Sequence, residues 1–252
     1  MTTALPIPGN PRATTALLIP GNMCDARMWR VEPSLAAMLA GRGLSVVDAD
    51  TARDDTIAAM AARAVAAVAG PLVVVGFSMG AIVALEIARQ VPERVRGLVL
   101  LDLNAAADLP ERAAARPGQQ AAVRAGDLER LVIEELKPRY FAQGHTDATW
   151  QDLRDTVLAM ARALGPQVFV AQSEALRTRA DLRPVLATLA CPVLFGVGAQ
   201  DALCPPEWHL LWQRLAPAAR LVVFERAGHM SPLEAPVALV ATAAAWLEEV
   251  GL

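Results

Sequence analysis

Largely apolar runs of strand length recur along the whole chain. They fall at residues 16–19, 45–47, 72–75, 98–101, 193–197 and 221–224. Because most of these runs are continuous and do not alternate with polar residues, they are typical of strands that are covered on both faces. The pattern therefore predicts a central sheet that is mostly parallel.

Helical periodicity fills most of the gaps between these runs. Apolar residues recur at helical spacing in residues 31–40, 56–68, 79–90, 207–215 and 237–250. Regular alternation of strands and helices places the connecting helices on both faces of a parallel sheet. We therefore predict an α/β fold.

The alternation stops between residues 104 and 184. Helical patterns near residues 128–135 and 150–164 follow one another there, and the segment is divided by prolines and glycines that include Pro117, Gly118, Gly165 and Pro166. We predict a core formed by residues 1–103 and 185–252, with residues 104–184 inserted as a helical lid. Ligands of open α/β sheets bind at the C-terminal edge of the strands, so the lid is expected to lie over that edge.

The composition excludes several classes of protein. The 252 residues carry 23 basic and 26 acidic side chains, and a net charge of −3 argues against a nucleic-acid partner. Residues 64–85 contain no charge, but Gly70 and Pro71 interrupt them, so we expect no membrane helix and no membrane partner.

Cysteine usage and the start of the chain bear on the compartment. Three cysteines are an odd number, and they form neither a C-x-x-C pair nor a zinc motif. Residues 1–12 lack the charged and then apolar regions of a secretion signal. We expect a cytoplasmic protein with reduced thiols and no metal site, which is a monomer or a small homo-oligomer.

The strongest chemical signal is the motif Gly76-Phe77-Ser78-Met79-Gly80. It follows one apolar run directly and precedes a helical pattern, which is the strand, turn and helix context that G-x-S-x-G requires. The glycines let strand and helix approach closely, and the serine then projects at the positive end of the helix. Ser78 is therefore the candidate nucleophile, with a structural turn serine as the alternative.

A nucleophilic serine needs a base and an acid that orients the base, here sought in the chain order serine, acid, histidine. His229 follows the last strand run and is the candidate base. His145 in the lid and His209 in a helical pattern are interpreted as surface or packed side chains. Asp201, after the fifth strand run, is the candidate acid, and Asp102, after the fourth, is the alternative.

Ester cleavage also needs N–H donors for the oxyanion that forms on the carbonyl oxygen. The amide of Met79, directly after the nucleophile, is the first candidate. The second is expected from residues 20–24, where Gly21 permits a bend and Asn22 follows. We assign the oxyanion hole to the amides of Asn22 and Met79. The alternative interpretation of Asn22 is that it is only a polar residue of the turn.

These motifs together resemble the α/β-hydrolase family, and in particular compact, lidded esterases and lactonases such as pimeloyl-carrier methyl ester esterases and 3-oxoadipate enol-lactonases. The resemblance covers almost the whole chain and rests on the elbow, on Gly228-His229 and on residues 17–29, 92–95 and 198–205. It implies an α/β-hydrolase fold whose triad is Ser78, Asp201 and His229. The chain departs from the family at residues 48–53, where a D-x-x-G-x-G-x-S segment is common.

Side chains of the lid and one residue of the loop after the first strand run are candidates for the substrate pocket. They are Met23, Tyr140, Phe141, Trp150, Met160, Phe169 and Arg177. The aromatic residues and methionines could equally form the lid's own small core. Arginines near the lid ends suit carboxylate recognition, with solvation or pairing to neighbouring acids as the alternative; these are Arg116, Arg177, Arg179 and Arg183.

The sequence therefore predicts a serine hydrolase that cleaves a small or medium ester, thioester or lactone through an acyl-enzyme, with no cofactor. A cofactor-free haloperoxidase or perhydrolase and a C–C bond hydrolase share this fold and triad, so they are alternative enzymes. A ligand-binding protein without catalytic activity is the alternative from another class, and such proteins often lose a member of the triad.

Overall fold

The structure, a computed structural model, describes residues 14–136 and 140–252. Residues 1–13 of the predicted core and 137–139 of the predicted lid lie outside the described residues. Six strands form one sheet, namely β1 (Thr15–Ile19), β2 (Ser45–Asp48), β3 (Leu72–Phe77), β4 (Val95–Leu101), β5 (Val193–Gly198) and β6 (Arg220–Phe224). Their order is β2-β1-β3-β4-β5-β6 and every neighbouring pair is parallel, which confirms the predicted fold class.

Helices cover both faces of this sheet. Those of the core are α1 (Leu35–Gly41), α2 (Ile57–Ala66), α3 (Met79–Gln90), α8 (Pro206–Leu215), α9 (Ser231–Glu234) and α10 (Pro236–Glu249). Successive side chains of a strand point to opposite faces, and here both faces are buried: Leu17 belongs to one hydrophobic cluster and Leu18 to the other. This two-sided burial is the physical reason for the continuous apolar runs in the sequence.

A helical insertion connects β4 to β5. It contains α4 (Pro110–Arg124), α5 (Leu128–Arg130), a π-helical segment (Leu131–Leu136), α6 (Asp147–Arg177) and α7 (Arg183–Leu186). Across the described ranges, no helix has both the length and the apolarity that crossing a bilayer requires.

Two residues that were predicted to divide the insertion into short helices do not end a helix. Pro117 and Gly118 lie inside α4, on its exposed side, while Gln120 and Val123 of the same helix are buried. Burial of that inner face sustains the helix although a proline inside a helix costs about 3 kcal/mol. Gly165 does mark a kink, since its φ of 79° interrupts helical geometry within α6, but helical residues continue on both sides.

Candidate active site

Ser78 lies on a tight turn between β3 and α3. Its φ of 53° and ψ of −114° fall in a region that residues with a side chain rarely adopt. The turn closes only because Gly76 and Gly80 have no side chain. A Cβ on Gly76 would collide with the Gly80 carbonyl, and a Cβ on Gly80 would collide with the Ile19 carbonyl. The Ser78 amide donates to the Leu101 carbonyl over 2.8 Å, which ties the turn to the end of β4.

His229 lies between Ser78 and Asp201, although these residues are far apart along the chain. Its Nε2 is 2.9 Å from Ser78 Oγ and its Nδ1 is 2.8 Å from Asp201 Oδ2. The rings of Phe77 and Tyr140 pack against the imidazole with centroid distances of 5.3 and 5.4 Å. The structure therefore brings together the three side chains that the sequence analysis selected, in the order that proton transfer from a serine requires.

The carboxylate of Asp201 is held in its ionised form. Burial alone would raise its pKa, but the adjacent His229 and the hydrogen bonds to the carboxylate lower the pKa below its usual value. Its Oδ1 accepts hydrogen bonds from the amides of Leu203 and Cys204 at 2.8 and 2.9 Å. One oxygen is thus fixed by the backbone and the other faces the imidazole.

Asp102, the alternative acid, has different partners. It is fully buried, its Oδ2 accepts a 2.5 Å hydrogen bond from Ser231 Oγ, and its Oδ1 accepts one of 3.1 Å from the Gly198 amide. Burial and the nearby charge of Asp201 raise the pKa of Asp102 well above its usual value. No direct hydrogen bond joins Asp102 to His229 among the described residues, so the geometry favours Asp201 as the partner of the imidazole.

Asn22 and Met79, whose amides are assigned to the oxyanion hole, line the same cavity as Ser78. Met79 is the first residue of α3, so its amide has no acceptor within the helix. The loop of Asn22 is held by Gln172 of α6, whose Oε1 accepts from the Met23 amide at 2.8 Å and from Asn22 Nδ2 at 3.1 Å. Gln172 is a residue that sequence reasoning missed, because nothing in the chain pattern couples it to a loop 150 residues away.

Glu234 of α9 was also missed. Its Oε1 accepts from the amides on either side of His229, those of Gly228 at 3.0 Å and Met230 at 3.1 Å. Its Oε2 accepts from the Ala142 amide at 2.7 Å and lies 2.9 Å from His145 Nε2. One buried carboxylate thus joins the histidine loop to the insertion. Its position five residues after His229 is the only sequence signal that could have identified it.

His209 is a structural histidine, in agreement with the interpretation of a packed side chain. Its Nε2 accepts from the Leu103 amide at 3.0 Å, and Nδ1 lies 3.4 Å from the Pro205 carbonyl. Burial lowers the pKa of His209 to about 4. The imidazole is therefore neutral near pH 7 and fixes the segment that follows β4.

A cavity of about 350 Å³ lies beside Ser78, between the sheet edge and the insertion. Two of the predicted pocket residues, Tyr140 and Phe169, line it. Lining residues that the sequence analysis did not select include Ile82, Asn104, Arg112 and Leu176. A cavity of this size is at the lower end of small-molecule sites, which span roughly 300–1,000 Å³.

The other five predicted pocket residues are not among those that line this cavity. Phe141 and Met160 are buried in the hydrophobic core, and the Met160 sulfur accepts from the Asp25 amide. Met23 is buried with its amide bonded to Gln172. Trp150 stacks with Arg154 at 5.7 Å, and the exposed Arg177 pairs with Glu174. The structure thus does not place these five residues on the wall of this cavity. For those in the insertion, residue type and chain position do not reveal which side of a helix faces the sheet.

The four arginines near the ends of the insertion divide into two that line the cavity and two that do not. Arg116 and Arg179 line the cavity and both pair with the buried Asp108, at 2.6 and 2.8 Å. Arg177 and Arg183 are exposed and pair with Glu174 and Asp181. The alternative interpretation, pairing with neighbouring acids, therefore holds for all four of these arginines.

One cluster could in principle hold a metal ion. Asp201, Cys204 and His229 each offer a ligand atom, and these atoms lie within 4.8 Å of one another. Burial, together with the charges of Asp201 and Asp102, raises the pKa of the Cys204 thiol well above its usual value. A metal binds the thiolate, and Asp201 already holds His229, so this cluster fits proton transfer better than metal binding.

Comparisons with known proteins agree with this fold. The sequence profile of the alpha/beta hydrolase family matches residues 16–243. A pimeloyl-[acyl-carrier protein] methyl ester esterase of Neisseria meningitidis serogroup B is 32% identical over 202 residues, which are 78% of this chain and 75% of that protein. One from Edwardsiella ictaluri is 28% identical over 84% of this chain and 85% of its own length.

Solved structures are similar over nearly the whole chain. A thermophilic esterase from Thermogutta terrifontis with malate bound has 27% identity and a TM-score of 0.81, and the match covers 95% of this chain and 91% of that one. The enol-lactonase of Burkholderia xenovorans LB400 has 22% identity and a TM-score of 0.74, with coverage of 95% and 92%. The second similarity shows the fold alone.

Proposed function

The chain belongs to the alpha/beta hydrolase family, and from this premise we propose that it is a serine hydrolase of small or medium carboxylic esters, thioesters or lactones. The observation that carries the proposal is the pair of hydrogen-bond contacts of His229, 2.9 Å to Ser78 Oγ and 2.8 Å to Asp201 Oδ2. The relatives named as methyl ester esterases support an ester as the substrate.

The proposed first half-reaction acylates Ser78. His229 Nε2 accepts the proton of Ser78 Oγ while the oxygen attacks the carbonyl carbon of the substrate. The amides of Asn22 and Met79 donate hydrogen bonds to the resulting oxyanion, and removing one such donor typically costs about 2.7–4 kcal/mol. Asp201 stabilises the imidazolium, which then gives its proton to the leaving alcohol or thiol.

The second half-reaction releases the acid. Water that has lost a proton to His229 attacks the acyl-enzyme, the same two amides bind the second oxyanion, and Ser78 recovers its proton. Every proton in this scheme moves between Ser78, His229, water and substrate, so no cofactor takes part. We propose that the insertion, which supplies one wall of the cavity, acts as a lid that excludes bulk water from the reacting atoms.

The proposal is tested with Ser78→Ala. The variant should lose fluorophosphonate labelling and the turnover of p-nitrophenyl esters, because both need the activated oxygen, while circular dichroism stays unchanged. We expect the residual rate to lie about 10⁴-fold or more below that of the unmodified enzyme. Ser45→Ala, at an exposed serine of β2, is the control and should be labelled normally.

Two results would reject the proposal. An unmodified protein that takes up no fluorophosphonate would be a binding protein of this fold. Ester turnover that survives in Ser78→Ala would place the nucleophile elsewhere.

A further inference from the structure

Five charged side chains line the cavity beside Ser78, apart from Asp102 and His229. They are Asp108, Glu111, Arg112, Arg116 and Arg179. Asp108 is almost completely buried and accepts ion pairs from both Arg116 and Arg179. This wall therefore carries three guanidinium groups and two carboxylates, and the carboxylate of Asp108 pairs with two of the guanidinium groups.

Arg112 is the arginine that this arrangement leaves without an acidic partner among the described residues. Its Nη1 and Nη2 both lie 3.3 Å from one acceptor, the carbonyl of Leu203, at the long end of hydrogen-bond distances. Glu111 precedes it directly in α4, and adjacent residues of a helix point in different directions. The Arg112 guanidinium thus has donors to spare beside the cavity.

A second donor, in a residue that lines the same cavity, lacks an acceptor. Asn104 is 5% exposed, and its Oδ1 accepts from the Ala106 amide at 3.0 Å, which fixes the orientation of its amide group. Its Nδ2 has no hydrogen-bond partner within the described part of the chain. Buried donors without partners are rare, and the free energy cost of each is about 1–3 kcal/mol. An acceptor supplied by a ligand would remove that cost.

We propose that Arg112, assisted by Asn104, binds a carboxylate group of the substrate, so that the favoured substrates are esters or lactones that carry a second, anionic end. This inference rests on the proposed function, because it places the scissile carbonyl at Ser78 in the same cavity. A carboxylate accepts hydrogen bonds and donates none, and its two oxygens match the planar fork of a guanidinium.

The test compares substrates that differ only in the distant group. Monomethyl adipate and methyl hexanoate place the charge on the acyl side, whereas 4-acetoxybutanoate and butyl acetate place it on the alcohol side. We expect kcat/KM of the unmodified enzyme to favour the charged member of one pair. Arg112→Gln should lower that preference by about tenfold to a hundredfold, the effect of losing one charge-assisted hydrogen bond.

Arg183→Gln is the matched control, because Arg183 is exposed and pairs with Asp181 outside the cavity. It should leave the preference unchanged. Thermal unfolding of both variants shows whether either substitution has damaged the fold. A preference for the neutral ester in both pairs, or one that Arg112→Gln does not alter, would overturn the inference while leaving the serine hydrolase intact.

A binding measurement separates the inference from the proposed chemistry. Titration calorimetry of adipate with Ser78→Ala needs no turnover, so it gives an answer even if no ester is cleaved. The dissociation constant should rise at least tenfold when Arg112→Gln is added to Ser78→Ala. Equal affinity in the two proteins would contradict a carboxylate site at Arg112.

Discussion

The C-terminal edge of the sheet and the helical insertion build the site by different means. Ser78, Asp201 and His229 each follow the end of a strand, and the parallel hydrogen-bond ladder sets how those ends lie relative to one another. The insertion contributes Arg112 and Phe169 from helices, whose positions depend on how side chains pack. The proposed catalytic side chains are thus placed mainly by the backbone ladder, and the proposed substrate wall is placed mainly by packing.

This difference predicts how substitutions in the two regions affect the site. A ladder of backbone hydrogen bonds forms with many different side chains, so the strand ends keep their positions when the sequence varies. A helix that is placed by packing moves when its buried side chains change. We therefore expect substitutions at the sheet edge to alter the rate on every substrate, and substitutions in the insertion to alter the choice between substrates.

Beyond Ser78, the largest effect at the sheet edge should come from Asp201→Asn. The new amide can keep the hydrogen bonds from Leu203 and Cys204 through its oxygen, but its nitrogen then donates to His229 Nδ1. The proton of the imidazole is forced onto Nε2, which can no longer accept from Ser78. We expect kcat to fall about 10³- to 10⁴-fold on charged and neutral esters alike.

Asp102→Asn is the matched control for that substitution. Burial and the charge of Asp201 raise the pKa of Asp102, whose hydrogen bonds go to Ser231 and the Gly198 amide. An asparagine has nearly the same shape, so its oxygen can keep the bond from the Gly198 amide and its NH₂ can donate to Ser231 Oγ. We expect a loss in kcat of less than about tenfold. Losses of equal size in the two variants, measured by stopped-flow with p-nitrophenyl acetate, would contradict the assignment of Asp201.

The same contrast explains what the sequence alone could predict. The apolar runs revealed the strands because both faces of the sheet are buried. The elbow glycines revealed the turn because neither Gly76 nor Gly80 has room for a Cβ atom. Asp201 and His229 could be found because each lies in a loop that begins at the C-terminal end of a strand. These are local signals, which a single sequence carries.

The wall of the cavity gave no comparable signal. Gln172 and Arg112 contact residues 149 and 91 positions away, and Glu234 reaches Ala142, 92 positions away, besides its own neighbours. No local pattern encodes the long-range contacts. The rotation of a helix about its axis decides whether an apolar side chain of the insertion faces the cavity or the hydrophobic core. Residue type therefore could not show that Phe169 lines the cavity and Met160 does not. Pro117 was misleading because tertiary packing outweighs local propensity there.

Glu234→Gln tests the contact that joins the two regions. A glutamine has one acceptor oxygen, so its NH₂ must face either the amides beside His229 or the Ala142 amide and His145. Either choice sets donor against donor and displaces the histidine loop. A displacement of about 1 Å can cost a hundredfold in rate, so we expect kcat to fall about tenfold to a hundredfold while KM changes little.

Glu225→Gln is the control for this substitution, because Glu225 is exposed at the end of β6 and close in the chain to the histidine loop. It should react with fluorophosphonate at the normal rate, whereas Glu234→Gln should react more slowly in proportion to its kcat. If Glu234→Gln raised KM and left kcat unchanged, the carboxylate would shape the substrate wall and would not position His229.

The smallest effect is expected within the insertion, where the two ends of α6 differ. Phe169 follows the kink at Gly165 and lines the cavity, whereas Trp150 precedes the kink and stacks on Arg154. Phe169→Leu removes ring volume from the wall and should shift kcat/KM toward longer acyl chains by about fivefold to tenfold, the lower end of the roughly 1–3 kcal/mol that one methylene in an apolar pocket is worth. Trp150→Leu should leave the profile unchanged across p-nitrophenyl acetate, butyrate, hexanoate and octanoate. A parallel shift in both variants would mean that α6 responds as one rigid body, and the proposed division between a catalytic edge and a locally tuned wall would then fail.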